Sequence, residues 1–391
     1  MHLTLAQLAV TGLLIALLPL AMVWTSSDAN KYRKLVWVAV FLTFDLIMFG
    51  AFTRLTDSGL GCPDWPGCYG LANPFLAHAD IKAAEALMPS GPVTLAKAWI
   101  EMIHRYLAMA IGVLTVALMA QAWRQWRAGR RGDGRRGEFA PALPTALFLF
   151  ICLQGAFGAW TVTLKLQPVI VTIHLLLGMG LLSMLVWLGA RQDTALAPPP
   201  QRSGPLPVMR RIRLLALCSA LLLLAQIALG GWVSTNYATL ACTDFPLCNG
   251  ALLPEMDFEH GFALWRELGK TAAGHYLPFA ALTAIHWVHR SFALVVVAGI
   301  GYTAWRAWEQ PTLHKLARGI AIVLALQACT GLATIFLNWP LAIAVLHNGG
   351  AALLVLLLTM LNYRAKLQLD IARRAASGTA STHSSPLKHH Q

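Results

Sequence analysis

Four histidines, His104, His174, His289 and His347, stand inside long apolar stretches of this 391-residue chain. An ionisable group in such a stretch is costly to place, and its default reading is functional. Each falls about seven residues inside one end of a predicted helix, a common depth of roughly 10 Å at 1.5 Å per residue. Within a four-helix unit His104 can face His174, and His289 can face His347, so that each pair grips a planar group from both sides. Two imidazoles with no carboxylate or cysteine cluster around them suit heme iron better than zinc or calcium. Hydrogen bonding of the rings to helix backbones is the plainer alternative, and four rings in register with repeated surroundings weigh against it.

Arg105 and Arg290 directly follow two of these histidines. They could pair with heme propionates or close the outer rim of the site, or simply reach for lipid headgroups. Glu101 lies three residues before His104, on the same helical face. It is a candidate proton acceptor or stabiliser of a developing cation, with a structural pairing to Arg105 or to a backbone group near the interface as the bland alternative. The matching position before His289 is His286, a candidate supporting group or alternative ligand. A carboxylate beside one pair only suggests that one half performs chemistry and the other holds a cofactor.

Two short polar loops, GLGCPDWPGCYG at 59–70 and TLACTDFPLCNG at 239–250, each carry cysteines six residues apart. A disulfide within each loop, Cys62–Cys68 and Cys242–Cys248, can form if the loops face an oxidising space. Cys152, Cys218 and Cys329 sit singly in apolar segments, where a small buried hydrophobe is the default reading.

The elements that position these groups are membrane helices. The chain is 57% hydrophobic and 12% charged, with a mean hydropathy of +0.59, which excludes an ordinary soluble protein. Stretches long enough to cross a bilayer recur near 3–24, 35–53, 97–122, 141–161, 168–190, 212–234, 278–305, 318–337 and 340–362. The net charge of +13 marks orientation rather than nucleic-acid binding: 22 of the 30 Lys and Arg fall at 31–34, 124–136, 191–213, 306–318 and 364–388. These are alternate loops and the tail, expected to be cytoplasmic, which leaves both cysteine loops outside.

The sequence also repeats itself. GAFTRLTDSGLGCPDWPGCYG (50–70) aligns without gaps on GGWVSTNYATLACTDFPLCNG (230–250), and WIEMIHRYLA (99–108) on AIHWVHRSFA (284–293). Gln154 and Gln327 precede His174 and His347 by 20 residues, each with a glycine four residues on. The expected fold is therefore all-α and integral to the membrane: duplicated four-helix bundles forming an eight-helix core, with an extra N-terminal transmembrane helix. The expected units are 1–34 for that helix and a basic loop, 35–190 for the first half and 212–365 for the second. A Pro-rich linker at 191–211 joins the halves, and 366–391 is expected to be a disordered tail. The outer loops 71–96 and 251–277 are long enough for a short surface helix each. His78, His260, His275 and His314 fall in loops and are expected to be solvated, as are His383, His389 and His390 in the tail.

Taken together, RLTDSGLGCPDWPGCYG, EMIHR, VTIHLLLG, HWVHR and AVLHNGG resemble the heme A synthase family over roughly 35–365. The resemblance implies an enzyme that converts heme O to heme A, oxidising a ring methyl to a formyl group by successive hydroxylations with water-derived oxygen. It implies that the first half takes the substrate, with His104 and His174 as axial groups and Arg105 beside them. The second half then holds a heme b cofactor through His289 and His347, with Arg290. Glu101 matches the glutamate expected to assist oxidation, and Cys62 and Cys68 match the outer pair on the substrate side. Implied partners are heme O synthase (the protoheme farnesyltransferase), oxidase assembly factors, an electron acceptor and the bilayer of the plasma membrane, with no nucleic acid. The segment 3–24 departs from the eight-helix pattern.

Two other functions compete. A bis-histidine diheme electron-transfer cytochrome would need both pairs but gains little from Glu101. A membrane thiol oxidase would use the loop cysteines and leave four aligned histidines without purpose.

Overall fold

The computed structural model describes residues 2–129, 140–196 and 205–382. Eleven helices and no named strand occur among them: α1 (His2–Thr25), α2 (Lys31–Leu55), α3 (His78–Leu87), α4 (Leu95–Gly129), α5 (Ala142–Thr163), α6 (Pro168–Leu196), α7 (Leu206–Thr235), α8 (Phe258–Gly261), α9 (Phe279–Trp308), α10 (His314–Phe336) and α11 (Leu341–Thr382). Nine of the described helices are long and apolar enough to cross a membrane, α1 included. In hydrocarbon every backbone polar group must be satisfied within the segment, which is why such stretches are helical. The chain is a multi-pass membrane protein.

Helix ends are set by local chemistry. The Asn30 side chain accepts the Arg33 N–H at the start of α2, Pro205 and Pro278 precede α7 and α9, and Asp257 caps the single turn of α8. The expected surface helices in the outer loops are thus α3 and the one-turn α8. Several helices outrun their apolar cores on the basic face. α4 continues to Gly129, α6 to Leu196, and α7 starts at Leu206. Parts of the basic loop (130–139) and of the linker (197–204) lie outside the described residues, as does the extreme tail (383–391).

The tail expectation needs correction, because α11 continues through 366–382. Lys366 pairs with Asp370 one turn on, while Gln368, Leu369 and Ala372 are buried, so residues 366–372 are packed helix. The single cysteines also differ from expectation: Cys152, Cys218 and Cys329 are exposed on the surfaces of their helices. In a span such a surface faces lipid, and a thiol there behaves as a small apolar group.

Helix contacts repeat between halves. α2, α4, α5 and α6 pack as one ring (α2 on α4, α4 on α5, α5 on α6, α6 on α2), and α7, α9, α10 and α11 as another in the same order. Equivalent pairs, α2 with α11 and α7 with α6, join the rings, and α6 meets α11 between them. This pattern fits a pseudo-twofold axis along the membrane normal. Small residues such as Ala39, Ala216, Ala317 and Ala352 in the shared core allow close approach of helices that are apolar all round.

The duplication extends to backbone detail. Left-handed residues recur at Lys165 and Leu166 between α5 and α6, and at Asn338 and Trp339 between α10 and α11. Asp57 and Tyr237, both left-handed, end the turns after α2 and α7. There the halves are clamped together: Tyr237 donates to Asp57 (2.7 Å), Arg54 donates to the Ser234 carbonyl (2.6 Å), and its guanidinium lies over the Tyr237 ring. Outside the rings, α1 packs chiefly on α4. Its first turn reaches the first cysteine loop, where Thr4 donates to the Gly70 carbonyl (2.8 Å).

Candidate functional site

All four helical histidines are half-buried. Each ring lies against a glycine of a neighbouring helix. A Cβ on Gly50 would come within 3.0 Å of His104, on Gly158 within 3.1 Å of His174, on Gly230 within 3.0 Å of His289, and on Gly331 within 3.2 Å of His347. His104 and His174 are within electrostatic reach of each other, as are His289 and His347. The structure therefore brings together the two pairs anticipated from sequence.

Glutamines hold three of the four from behind. The side-chain amide of Gln154 donates to the His174 carbonyl (3.2 Å), that of Gln226 to the His289 carbonyl (3.2 Å), and that of Gln327 to the His347 carbonyl (2.9 Å). A carbonyl facing the inside of a membrane bundle has no water to spare, so these bonds fix the backbone that carries each ring. The repeat signalled Gln154 and Gln327, and also all four glycines, which are matched between halves. It gave no sign of Gln226, because Leu46 stands at the aligned position.

Filling a glycine seat should displace its histidine. Gly230→Val is expected to cost about 1–3 kcal/mol through overpacking and to lower the heme content of the purified chain, measured by pyridine hemochrome, while Gly112→Val, with nothing within 4 Å of its Cβ, should leave heme content unchanged.

The cysteine loops cover these pairs. Both disulfides are formed, Cys62–Cys68 and Cys242–Cys248. Within each loop an aspartate accepts two backbone N–H groups: Asp64 from Tyr69 and Gly70 (2.6 Å each), Asp244 from Asn249 (2.5 Å) and Gly250 (2.9 Å). The bonds from Gly250 and Asn249 hold the Asp244 carboxyl below the usual carboxylate range. Paired bridges, Cys68 with Leu71 and Cys248 with Ala251, close the two turns alike.

Glu101 and His286 do the same structural job in their halves. The Cys62 N–H donates to Glu101 (2.7 Å) and the Cys242 N–H to His286 Nδ1 (3.2 Å). His286 is buried against the loop, whereas His289 lies on the glycine seat, so His286 supports the loop and His289 faces the open part of the bundle. Glu101 does one thing more. It forms a buried ion pair with Arg105 (2.5 Å), whose other nitrogen is held by the carbonyls of Asp64, Pro66 and Gly67. Arg290 is less committed: it reaches the Leu247 carbonyl (2.9 Å), and its Nη1 is buried with no hydrogen-bond partner. Such an unsatisfied cationic donor is costly unless an anion meets it.

These features fit heme in both halves. Two imidazoles per ring of helices are a donor set suited to heme iron, and no group of three His, Cys, Asp or Glu that would close around a bare ion occurs among the described residues. The unpartnered Arg290 nitrogen offers a bond to a carboxylate such as a propionate. Of the loop histidines, His260 is tied to Asp257 (2.6 Å) and His314 starts α10 against Trp308, so neither is available to the site.

A family model described as COX15-CtaA, cytochrome oxidase assembly protein, matches residues 33–359. Among curated relatives, a heme A synthase of Shewanella oneidensis is 36% identical over 84% of this chain and 96% of its own length. Heme A synthases of Erythrobacter litoralis and Methylobacterium nodulans are each 30% identical, over 82% and 80% of this chain and 93% and 86% of theirs.

Proposed function

The chain belongs to the COX15-CtaA family of cytochrome oxidase assembly proteins, and on that premise we propose that it is an oxidoreductase converting heme O to heme A. The observation that carries this reading is the duplicated bis-histidine geometry, asymmetric at Glu101, in a chain similar to heme A synthases over most of its length. Converting a ring methyl to a formyl group with oxygen from water balances as R–CH3 + H2O → R–CHO + 4 H+ + 4 e−. The protons need a local acceptor and the electrons need an acceptor outside the chain.

The first half is read as the substrate site. His104 and His174 hold heme O, Arg105 and the Cys62–Cys68 loop form its roof, and Glu101 takes protons or steadies positive charge as the methyl is oxidised. Its ion pair with Arg105 fixes that carboxylate in a poorly hydrated place. The second half is read as the cofactor site, where His289 and His347 would hold heme b and Arg290 would donate to a propionate. Heme b bound there supplies one-electron redox chemistry. The clustering of Lys and Arg on alternate loops supports a plasma-membrane orientation with the cysteine loops periplasmic and the basic loops cytoplasmic. Heme O synthase and oxidase assembly factors are the proposed partners, as source of substrate and users of product.

Coexpression with a heme O-forming farnesyltransferase, followed by chromatography of extracted pigments, tests the activity. Heme A or a hydroxylated heme O should appear. Heme b alone, whether or not heme O is supplied, would favour the diheme electron-transfer cytochrome. The cysteine pairs separate by the same assay: the Cys62→Ser, Cys68→Ser double variant is expected to lose most heme A formation. Cys242→Ser, Cys248→Ser should retain it and lose about 2 kcal/mol of stability. Equal turnover in both would make both disulfides structural.

A further inference from the structure

The two α5/α6-type corners of the duplicated fold are closely similar, and one polar difference between them lies at a histidine ring. In both, the glutamine amide binds the histidine carbonyl, and the glycine four residues on lies under the ring. In the second half Thr330 Oγ1 is 2.9 Å from Nδ1 of His347. In the first half the aligned residue is Phe157, and Nδ1 of His174 is buried with no hydrogen-bond partner.

The chemistry of this contact is determined by the hydroxyl. The single Thr330 hydroxyl proton has the carbonyls of Leu326 (3.0 Å) and Gln327 (3.1 Å) within reach in its own helix. With that proton on a helix carbonyl an Oγ1 lone pair faces the ring, and ligation through Nε2 would leave His347 Nδ1 as the N–H donor to it. An imidazole held in this way is oriented, fixed in the ligating tautomer and made a stronger donor.

We infer that Thr330 is a positioning residue that locks His347 as an Nε2 ligand and makes the second half a retaining heme site, whereas Phe157 leaves His174 unlocked so that the first half can release its heme. This rests on the reading of the second half as the cofactor site and the first as the substrate site. It explains how one duplicated scaffold serves two needs: a cofactor must stay bound through many turnovers, and a product must leave after each.

The test uses full-length protein purified with its hemes, in wild type and in Thr330→Val, Thr330→Ser and His347→Ala. Valine keeps the shape and removes the acceptor. Thr330→Val is expected to speed transfer of heme b to excess apomyoglobin by about 10- to 100-fold and to raise its midpoint potential, because a weaker imidazole donor stabilises ferric iron less. Thr330→Ser should restore both. Wild-type transfer rate and potential in Thr330→Val, with heme b lost from His347→Ala, would overturn the role of Thr330 alone. Heme b unchanged in His347→Ala as well would overturn the ligand assignment beneath it. Phe157→Thr should slow release of farnesylated heme from the first half, and an unmoved rate would remove the contrast between halves.

Discussion

Glu101→Gln is expected to lower heme A formation by about 100-fold or more, the scale of a lost acid–base group, while leaving heme b content and folding close to wild type. The glutamine amide is nearly isosteric, and its oxygen can still accept the Cys62 N–H that Glu101 accepts at 2.7 Å. Arg105 remains tied to three loop carbonyls, so the roof over His104 stays in place. The charge is removed together with the acceptor for Arg105 Nη2, while the Cys62 bond is kept. Glu101→Ala is a poorer test, since it strands a buried guanidinium and a buried N–H at a cost of about 3–5 kcal/mol. The second half shows that holding the loop needs only an acceptor: His286 does it for Cys242 without a carboxylate. Any requirement for the charge therefore lies in the chemistry. Pigment extraction from cells making heme O reads the result, and normal heme A in Glu101→Gln would reduce Glu101 to a loop latch.

Replacing the axial pairs should separate the two hemes. His289→Ala or His347→Ala is expected to abolish heme b retention, by more than the roughly 100-fold that outer partners of a ligand command, and with it heme A formation. His104→Ala or His174→Ala should leave heme b bound and stop conversion. All four rings are seated on glycines rather than built into the packed core, so truncation removes a ligand without opening a large cavity in the shared helix core. Absorption spectra of the purified variants, with pigments quantified after extraction, distinguish the two outcomes. Loss of heme b from the His104 and His174 variants would exchange the roles of the halves.

Much of this arrangement was legible in the sequence because the chain carries two copies of one design. Matching Cys62 to Cys242, His104 to His289 and Gln154 to Gln327 located the loops, the rings and their backbone holders before any coordinates. Hydropathy marked the spans well but not their ends. α4, α6 and α11 run on into Lys- and Arg-rich sequence, where the helix no longer has to be apolar. The repeat was blind wherever the copies differ. Thr330 and Gln226 have Phe157 and Leu46 as counterparts, and the clamp of Arg54 and Asp57 on Ser234 and Tyr237 joins positions of unlike chemistry. The backbone group that Glu101 meets was likewise hidden, since its bond to Cys62 crosses 39 residues and depends on how the loop folds back over the helix.

The most direct measurement is an experimental density map of the chain purified from cells that make both heme b and heme O. The assignment predicts farnesylated heme between His104 and His174 and heme b, without the farnesyl tail, between His289 and His347. Heme b in both halves, or the farnesylated heme in the second, would contradict it.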